Sequence, residues 1–422
     1  MRKEMSFPIL FVYFCSKQTE QTMKILHTAD WHLGQTFYEY DRREEHLYFL
    51  EWLKQQIEQH EIDVLLIAGD VFDGPNPSAE SQRMYYRFLR EVTAGNPSLQ
   101  IIIIAGNHDS AARLEAPNPL LEDMNITVRG MVRRDAEGGI DLQHLIVPLY
   151  AGKEAAAYCL AVPYLRQGDY PSAETYSKGV RLLYEQLFNQ VKELGKPVIA
   201  MGHLQAIGSE ISEDDRSERT VIGGLECVSP EAFDEAIAYT ALGHLHRSQR
   251  VSHRENVRYS GTPMPMSFAE RNHTSGVVMV TIDAEGTCIE KLEFEPLAGL
   301  MSIPRQARPL EEVLQAIGEL PDGDVTRQSP YLEIKILMTE PEPSYKYKIE
   351  EALKGKAVRL ARIVAVLPPK KASGIAAASY EELQTIRPLD MALDVFKRKY
   401  GGAEMPDSMK QLLENVIKEV GV

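Results

Sequence analysis

The sequence predicts an α/β fold built in layers, followed by a small α+β domain and C-terminal helices. Short continuous apolar runs, typical of buried strands, alternate with stretches whose apolar residues recur at helical spacing. Strands without polar alternation indicate a sheet that is covered on both faces. Polar clusters follow five of these runs, at the strand ends where sites gather in such sheets.

The elements of the first domain can be placed in order along the chain. Leu47, Leu50 and Leu53 recur at the spacing of one helix face and indicate the first helix. Runs of four or five apolar residues indicate the buried strands. The predicted strands are 24–29, 64–68, 101–105, 198–201 and 239–242. The predicted helices are 42–60, 81–92 and 184–194.

The pattern changes after Ile282. Three prolines, Pro296, Pro304 and Pro309, indicate a linker in this region. Beyond them, the order helix, strand, helix, strand predicts a small α+β module. Its elements are expected at 310–320, 331–338, 345–353 and 359–366. A loop at 368–379 precedes two final helices, near 389–400 and 408–420.

The first 22 residues resemble a short signal peptide, because Arg2 and Lys3 precede an apolar run at 7–14. Pro8 interrupts that run, and no small-residue cleavage site follows it, whereas Met23 leads directly into the first strand. We therefore expect an extension outside the fold. The expected segments are 1–22 (extension), 23–296 (main domain), 297–370 (second domain) and 371–422 (linker and C-terminal helices).

The composition is that of a soluble globular protein, with 44% hydrophobic and 25% charged residues among 422. The net charge of −15 argues against a free-standing nucleic-acid binder. It does not exclude a nuclease, because bound divalent metals reverse the local field and a partner could supply basic surface. Scattered cysteines without a CxxC pair predict buried free thiols in a reducing compartment, the cytoplasm. No segment approaches the ~18 apolar residues of a membrane span. The cysteines are Cys15, Cys159, Cys227 and Cys288.

Five polar clusters at predicted strand ends combine carboxylates, an amide and imidazoles. Oxygen and nitrogen ligands in this mixture suit a borderline-hard divalent metal. Each cluster alone is weak, but five in this order predict a two-metal phosphoesterase. The clusters are Asp30-Trp31-His32, Gly69-Asp70-Val71-Phe72-Asp73, Gly106-Asn107-His108-Asp109, Gly202-His203 and Gly243-His244-Leu245-His246.

Phosphodiester hydrolysis places charge on both the attacking and the leaving oxygen, and two metals about 3.5–4 Å apart can stabilise both. Such a site needs a bridging carboxylate, for which Asp70 is the natural candidate. Asp30 and His32 stand two residues apart, on one face of a strand, so both can reach one metal. His244 and His246 share that spacing, but each could serve a different metal.

Ordinary structural explanations exist for each cluster taken alone. An Asp-x-His pair is usually a turn, Asp70 could cap a helix, and Asn107 could form an Asx-turn. None of these explains His108 and Asp109, or the five clusters together. The remaining histidines lack supporting spacing and are assigned to the core or the surface. They are His27, His46, His60, His144, His253 and His273.

The ordered clusters resemble the motifs of the calcineurin-like metallophosphoesterases. The likeness is closer still to the nuclease subunits of bacterial two-subunit exonucleases and runs from Met23 to near the C-terminus. Residues 1–22 have no counterpart in that family. The stretches that carry the resemblance are His27-Thr28-Ala29-Asp30-Trp31-His32-Leu33-Gly34, Ala68-Gly69-Asp70-Val71-Phe72-Asp73, Ala105-Gly106-Asn107-His108-Asp109-Ser110, Ala241-Leu242-Gly243-His244-Leu245-His246-Arg247 and Tyr259-Ser260-Gly261-Thr262-Pro263.

The resemblance implies a layered β-sandwich flanked by helices and two divalent ions, usually Mn²⁺. It implies that His108 stabilises the phosphate or protonates the leaving oxygen, and that Asp109 orients His108. The implied ligands of the first metal are Asp30, His32, Asp70 and His246. The implied ligands of the second metal are Asp70, Asn107, His203 and His244.

The resemblance also implies a homodimer, a capping domain at 297–370 that shapes DNA access, and an ATPase partner with a long coiled coil. That partner would dock on the C-terminal helices within 371–422, giving a heterotetramer that acts on double-stranded DNA ends and hairpins. Two alternatives stay open, a small-molecule phosphodiesterase of the same superfamily and a binding scaffold without catalysis. Protein phosphatases of the superfamily carry Arg-Gly and Glu where this chain has Gly74-Pro75 and Asp109.

Overall fold

The protein is described here from a computed structural model. The described residues are 22–152, 154–209, 227–338, 343–366, 389, 392–393, 396, 404–407 and 409–413. The chain divides into two compact units, Met1–Ile336 with Glu342–Ala365, and Leu337–Pro341 with Val366–Val422. Residues 1–21 of the predicted extension at 1–22 lie outside the described residues. Most residues of the two predicted C-terminal helices also lie outside them.

Helices α1 and α2 separate the buried strands of the first sheet along the chain. The strands are β1 (Met23–Thr28), β2 (Thr36–Phe37), β3 (Tyr40–Asp41), β4 (Val64–Ala68), β5 (Gln100–Ile104), β6 (Ile126–Arg129), β7 (Ile146–Ala151), β8 (Glu154–Ala161), β9 (Val198–His203), β10 (Tyr239–Gly243), β11 (Gln249–Val251), β12 (Arg254–Tyr259), β13 (Gly276–Asp283), β14 (Gly286–Glu293), β15 (Leu300–Arg308), β16 (Tyr331–Leu337) and β17 (Arg359–Val366). The helices are α1 (Arg43–Gln59), α2 (Ala79–Gly95), α3 (Ala111–Glu115), α4 (Asn118–Leu121), α5 (Leu142–Leu145), α6 (Tyr176–Val191), α7 (Leu310–Gly318) and α8 (Tyr345–Ala352).

Two six-stranded sheets form the main domain. The first has the order β14-β13-β1-β4-β5-β6, and the second has the order β11-β12-β10-β9-β8-β7. In the first sheet, β1, β4, β5 and β6 are parallel. In the second sheet, β8, β9, β10 and β12 are parallel. The carboxyl ends of the parallel strands therefore meet along one edge of each sheet.

The sheets pack face to face as a β-sandwich, and helices cover their outer faces. Alternate residues of β4 show this, since Val64 and Leu66 belong to the apolar cluster shared by the two sheets. Leu65 and Ile67 point the other way and pack with apolar residues of α1 and α2. Because both faces of β4 are buried, its sequence is continuously apolar, as expected.

A buried polar contact also joins the two sheets. His27 on β1 and Tyr239 on β10 lie 2.9 Å apart, from Nδ1 to the hydroxyl oxygen. Burial lowers the pKa of His27 to about 3. The imidazole is therefore neutral at physiological pH, in keeping with the core position expected for it.

The region predicted to be a capping domain, called the capping region below, contains a three-stranded sheet, β15-β16-β17, and helices α7 and α8. The expected linker around Pro304 is wrong, because Leu300–Arg308 forms β15, which pairs in parallel with β16. Pairing is interrupted between Ile303 and Arg308, where Pro304 stands. A proline is tolerated there because β15 is an edge strand.

Most other predicted elements are confirmed to within a few residues. Helix α6 begins at Tyr176 rather than near residue 184, because the side chain of Thr175 accepts a hydrogen bond from the backbone N–H of Lys178 and caps the helix. Within the described part of the chain, no helix combines the length and apolar character needed to cross a membrane. In the same part, Cys159, Cys227 and Cys288 are free thiols. Cys159 is buried as expected, but the expectation is wrong for Cys288, which is exposed on β14.

Candidate metal centre

The five polar clusters meet at the carboxyl edge of the sandwich. Parallel pairing of β1, β4 and β5 brings the loops after these strands side by side, and parallel pairing of β9 and β10 does the same in the second sheet. The structure thereby brings together all seven side chains predicted to bind metal. They are Asp30, His32, Asp70, Asn107, His203, His244 and His246.

One half of the centre contains Asp30, His32 and His246. Their ligand atoms all lie within 4.8 Å of one another, and all three residues are buried. The carboxylate of Asp30 also accepts a hydrogen bond from the backbone N–H of His244, at 3.0 Å to Oδ1. That bond ties the end of β1 in one sheet to the end of β10 in the other.

The other half contains Asn107, His203 and His244. Oδ1 of Asn107 lies 3.0 Å from Nε2 of His203 and 3.0 Å from Nδ1 of His244. Asp70 stands between the halves, since its Oδ2 is 3.2 Å from Nε2 of His203 and 3.8 Å from Nε2 of His32. A carboxylate in this position can reach two ions at once.

The backbone at four of these residues adopts the left-handed region, which side chains other than glycine rarely occupy. The φ values are +54° at Asp30, +46° at His32, +49° at Asp70 and +103° at His244. Hydrogen bonds between the loops hold this conformation, among them from Asp30 N to the carbonyl of Gly69 and from His32 N to the carbonyl of Asp70, each 3.0 Å. Such strained residues cluster at functional sites.

The glycines before the candidate ligands make space for neighbouring candidate ligands. A Cβ on Gly243 would lie 2.8 Å from Nδ1 of His203 and would collide with the carbonyl oxygen of Ala68. A Cβ on Gly106 would lie 2.7 Å from Cγ of Asp70. These positions require glycine because the loops pack directly on each other.

The charges of the centre favour a bound cation. Burial raises the pKa of Asp30 to about 6. Burial opposes protonation of His203, but the carboxylates of Asp70 and Asp30 outweigh it and raise the pKa of His203 to about 9. Burial likewise opposes ionisation of Asp70, yet its pKa is lowered by the adjacent imidazole of His203. A metal ion can replace the proton that these carboxylates attract.

Oxygen atoms face Nδ1 of three candidate histidine ligands. The distances are 3.4 Å from His32 to the carboxylate of Asp73, 2.8 Å from His203 to the carbonyl of Ala68, and 3.2 Å from His246 to the carboxylate of Glu270. An acceptor at Nδ1 fixes the tautomer and leaves the Nε2 lone pair for a metal. The donor set therefore fits divalent ions.

His108 lies beside this set, with its ring centroid 4.8 Å from that of His32. Its backbone N–H donates to Oδ1 of Asp70 at 2.8 Å. Its Nδ1 faces the backbone carbonyl oxygen of Asp73 at 3.0 Å. His32, Asp70 and His108 also form a group whose ligand atoms are within 4.8 Å of one another, so the geometry alone permits His108 to bind metal.

The orienting role expected for Asp109 is corrected by the structure. The Asp109 carboxylate is buried and accepts hydrogen bonds from the backbone N–H groups of Val71, Phe72 and Gly106, at 3.1, 3.0 and 3.0 Å. With these bonds it joins the loops after β4 and β5. The acceptor that faces the His108 ring is the carbonyl of Asp73 instead.

Sequence reasoning gave no role to Asp73 or Glu270. Asp73 belonged to a recognised cluster, so its position was a usable signal, although its contact with His32 was not foreseeable. Glu270 follows no strand and belongs to no metal-ligand spacing. Its contact with His246 arises only because a helical turn, Phe268–Asn272, folds back on the centre.

Comparisons with known proteins identify the family of the chain. The calcineurin-like phosphoesterase family matches residues 23–248. A family described as the type 5 capsule protein repressor C-terminal domain matches residues 296–400. The chain is 37% identical to the SbcD subunit of the SbcCD nuclease from Rhodobacter capsulatus over 361 residues, 82% of this chain and 88% of that protein. It is 30% identical to the SbcD subunit of the SbcCD nuclease from Escherichia coli K12 over 417 residues, 93% of this chain and 96% of that protein. The chain therefore belongs to the calcineurin-like phosphoesterases and, among them, to the SbcD family of nuclease subunits.

Proposed function

We propose that the chain is the nuclease subunit of an ATP-dependent double-strand DNA exonuclease and hairpin endonuclease, active in DNA repair and recombination. The phosphodiester chemistry in this proposal rests on the position of Asp70, whose carboxylate stands between two sets of candidate metal ligands. A bridging carboxylate is the feature that a two-metal phosphodiesterase requires. DNA is proposed as the substrate because the relatives are subunits of the SbcCD nuclease.

Two divalent ions, most simply Mn²⁺, would lower the pKa of a bound water and stabilise both the attacking and the leaving oxygen. The residues proposed to hold the first ion are Asp30, His32, Asp70 and His246. Those proposed for the second are Asp70, Asn107, His203 and His244. The buried carboxylates, the shared position of Asp70 and the acceptors at Nδ1 support this division.

His108 is proposed to act on the substrate rather than on a metal. If its Nδ1–H donates to the carbonyl of Asp73, its Nε2 can carry a proton to the leaving oxygen or bind a phosphate oxygen. Asp109 is proposed to contribute indirectly, because its three backbone hydrogen bonds hold the loop that carries His108.

The main domain is proposed to span 23–296 and a capping domain 297–370, with the partner-binding helices in 371–422. The named relatives are subunits of a two-subunit nuclease. We therefore expect an SbcC-like ATPase with a coiled coil as partner, in a heterotetramer around a homodimer of this chain in the cytoplasm.

Removal of the tail from Leu389 should keep manganese-dependent cleavage and abolish co-purification with the ATPase subunit. A retained complex would place the main interface elsewhere.

The nuclease can be tested directly on purified protein with manganese. The expected result is cleavage of linear duplex and hairpin DNA, with exonuclease activity on duplex ends enhanced by the ATPase partner and ATP. A small-molecule phosphodiesterase of the same superfamily is the alternative. Hydrolysis of an aryl phosphodiester without cleavage of any DNA would favour that alternative and contradict the proposal.

A further inference from the structure

Glu270 is a buried carboxylate whose two oxygens face different groups. Oε1 lies 3.2 Å from Nδ1 of His246. Oε2 accepts a hydrogen bond from the backbone N–H of Met266 at 2.7 Å. The side chain is 3% exposed, and a carboxylate at that depth is costly unless its oxygens are hydrogen-bonded. These two contacts account for its position.

A carboxylate can only accept hydrogen bonds, so the contact places the imidazole proton of His246 on Nδ1 and leaves the lone pair on Nε2. We infer that Glu270 is a positioning residue, which fixes the orientation and the tautomer that His246 needs to bind the first metal of the proposed two-metal site. It acts on the metal through His246 and not by direct contact.

The turn that carries Glu270 is held on both sides. Phe268, two residues earlier, is buried in an apolar cluster with Phe37 and with Tyr331 of the capping region. The carbonyl oxygen of Pro265 accepts a hydrogen bond from the buried guanidinium of Arg42, at 2.6 Å. A positioning group needs such rigid support, because a loosely held carboxylate would not select one ring orientation.

The simpler role for Glu270 is to anchor the backbone of Met266. Replacement by glutamine separates the two roles, since the amide keeps the shape but offers one acceptor oxygen to two N–H groups. If that oxygen stays with Met266, the amide NH₂ faces His246 and favours the tautomer with its proton on Nε2, which opposes metal binding. If the amide turns, the contact with Met266 is lost instead.

The experiment is a manganese titration of the full chain by calorimetry after removal of metal. We expect Glu270→Gln to weaken one of two manganese sites by about 10–100-fold, the usual effect of losing such a partner. Glu115→Gln is the matched control, because Glu115 is 4% exposed and accepts bonds from Gly130 and Met131 without touching a candidate ligand. Wild-type affinity at both sites in Glu270→Gln would overturn the inference.

Two further variants sharpen the test. If Glu270→Gln does not fold, Glu270→Asp is compared with the wild type, because a side chain one methylene shorter cannot hold both contacts and should weaken one manganese site. Wild-type affinity at both sites in Glu270→Asp would then overturn the inference. Glu270→Asp retains a carboxylate, so it should bind manganese more tightly than Glu270→Gln, and equal affinities would overturn the inference. In a His246→Gln background, adding Glu270→Gln should leave the manganese affinity of the remaining site unchanged. A further loss of manganese affinity would contradict an action of Glu270 through His246. Wild-type protein that binds two manganese ions without cutting DNA would refute the proposed function and leave this comparison intact.

Discussion

Asp70 stands between the two halves of the candidate metal centre. Its Oδ2 faces His203 and His32, and its Oδ1 accepts a hydrogen bond from the backbone N–H of His108. Asparagine keeps the shape and can keep the bond to His108, but it removes a charge and one acceptor oxygen. We predict that Asp70→Asn folds normally and shows no detectable manganese-dependent cleavage.

Cleavage of linear duplex DNA, measured beside circular dichroism of the same sample, checks this prediction. Asp123→Asn is the control, because Asp123 is exposed and distant in sequence from the clusters. Wild-type activity in a folded Asp70→Asn variant would exclude Asp70 as the bridging ligand.

His108 should affect turnover more than metal content. A positioned proton donor contributes about 10²–10⁴-fold to a rate, so we predict a decrease in kcat of that order for His108→Ala. The purified variant should still bind two manganese equivalents, as measured by metal analysis. Exposed His253 supplies the control substitution. Loss of one equivalent would make His108 a ligand, as its distances to His32 and Asp70 permit.

The candidate ligands could be picked out from the sequence because each stands within a few residues of an apolar strand, a short-range pattern. Glu270 could not, since it lies 24 positions from its partner His246 and reaches it through tertiary packing. The left-handed backbone conformation at Asp30 and His32 was equally unpredictable from the sequence, because hydrogen bonds from another loop stabilise it. Sequence patterns indicate ligands, whereas their supporting groups depend on the assembled fold.

Among the elements, the continuously apolar strands β4 and β5 were predictable, whereas the charged strands β12 and β14 were not. β4 and β5 are continuously apolar because they pack on the second sheet and on helices. β12 and β14 carry charged residues along exposed faces, so their pairing partners rather than their own composition define them. β8 is rich in alanine, which favours helix, and is held extended by β7 and β9.

The end of β10 gives a prediction at the scale of elements. Gly243 pairs with His203 and packs so closely on β4 that an added methyl would meet the Ala68 carbonyl. We predict that Gly243→Ala destabilises the metal-free protein by about 1–3 kcal/mol, the usual cost of overpacking. It should also weaken manganese binding, since His203 would have to move.

Urea denaturation in EDTA measures the change in the free energy of unfolding. Gly299→Ala is the control, because nothing lies within 4 Å of the methyl that it would add. Equal stability of Gly243→Ala and the wild type would show that the two sheets can separate at this end without cost.

At the scale of the whole molecule, a buried charged network joins the capping region to the main domain. The guanidinium of Arg42 donates to Oε2 of Glu45 at 2.8 Å, and the hydroxyl of Tyr331 donates to Oε1 at 2.5 Å. The guanidinium of Arg359 lies 4.4 Å above the ring of Tyr331. Because these groups are buried together, we expect the two parts to unfold in one transition.

Tyr331→Phe tests this coupling. The ring and its packing remain, but the buried carboxylate of Glu45 loses one donor, and a hydrogen bond to a charged group contributes about 1.5–3 kcal/mol. We predict a decrease of that size in the free energy of unfolding, measured by denaturant titration in EDTA, with a single transition retained. Tyr347→Phe is the control within the same region, since Tyr347 is 65% exposed. If Tyr331→Phe lowered the free energy of unfolding no more than Tyr347→Phe, the network would contribute nothing to the stability of the contact between the capping region and the main domain. If the capping region of Tyr331→Phe unfolded in a separate transition at a lower denaturant concentration, the hydrogen bond from Tyr331 to Glu45 would be what couples the two parts.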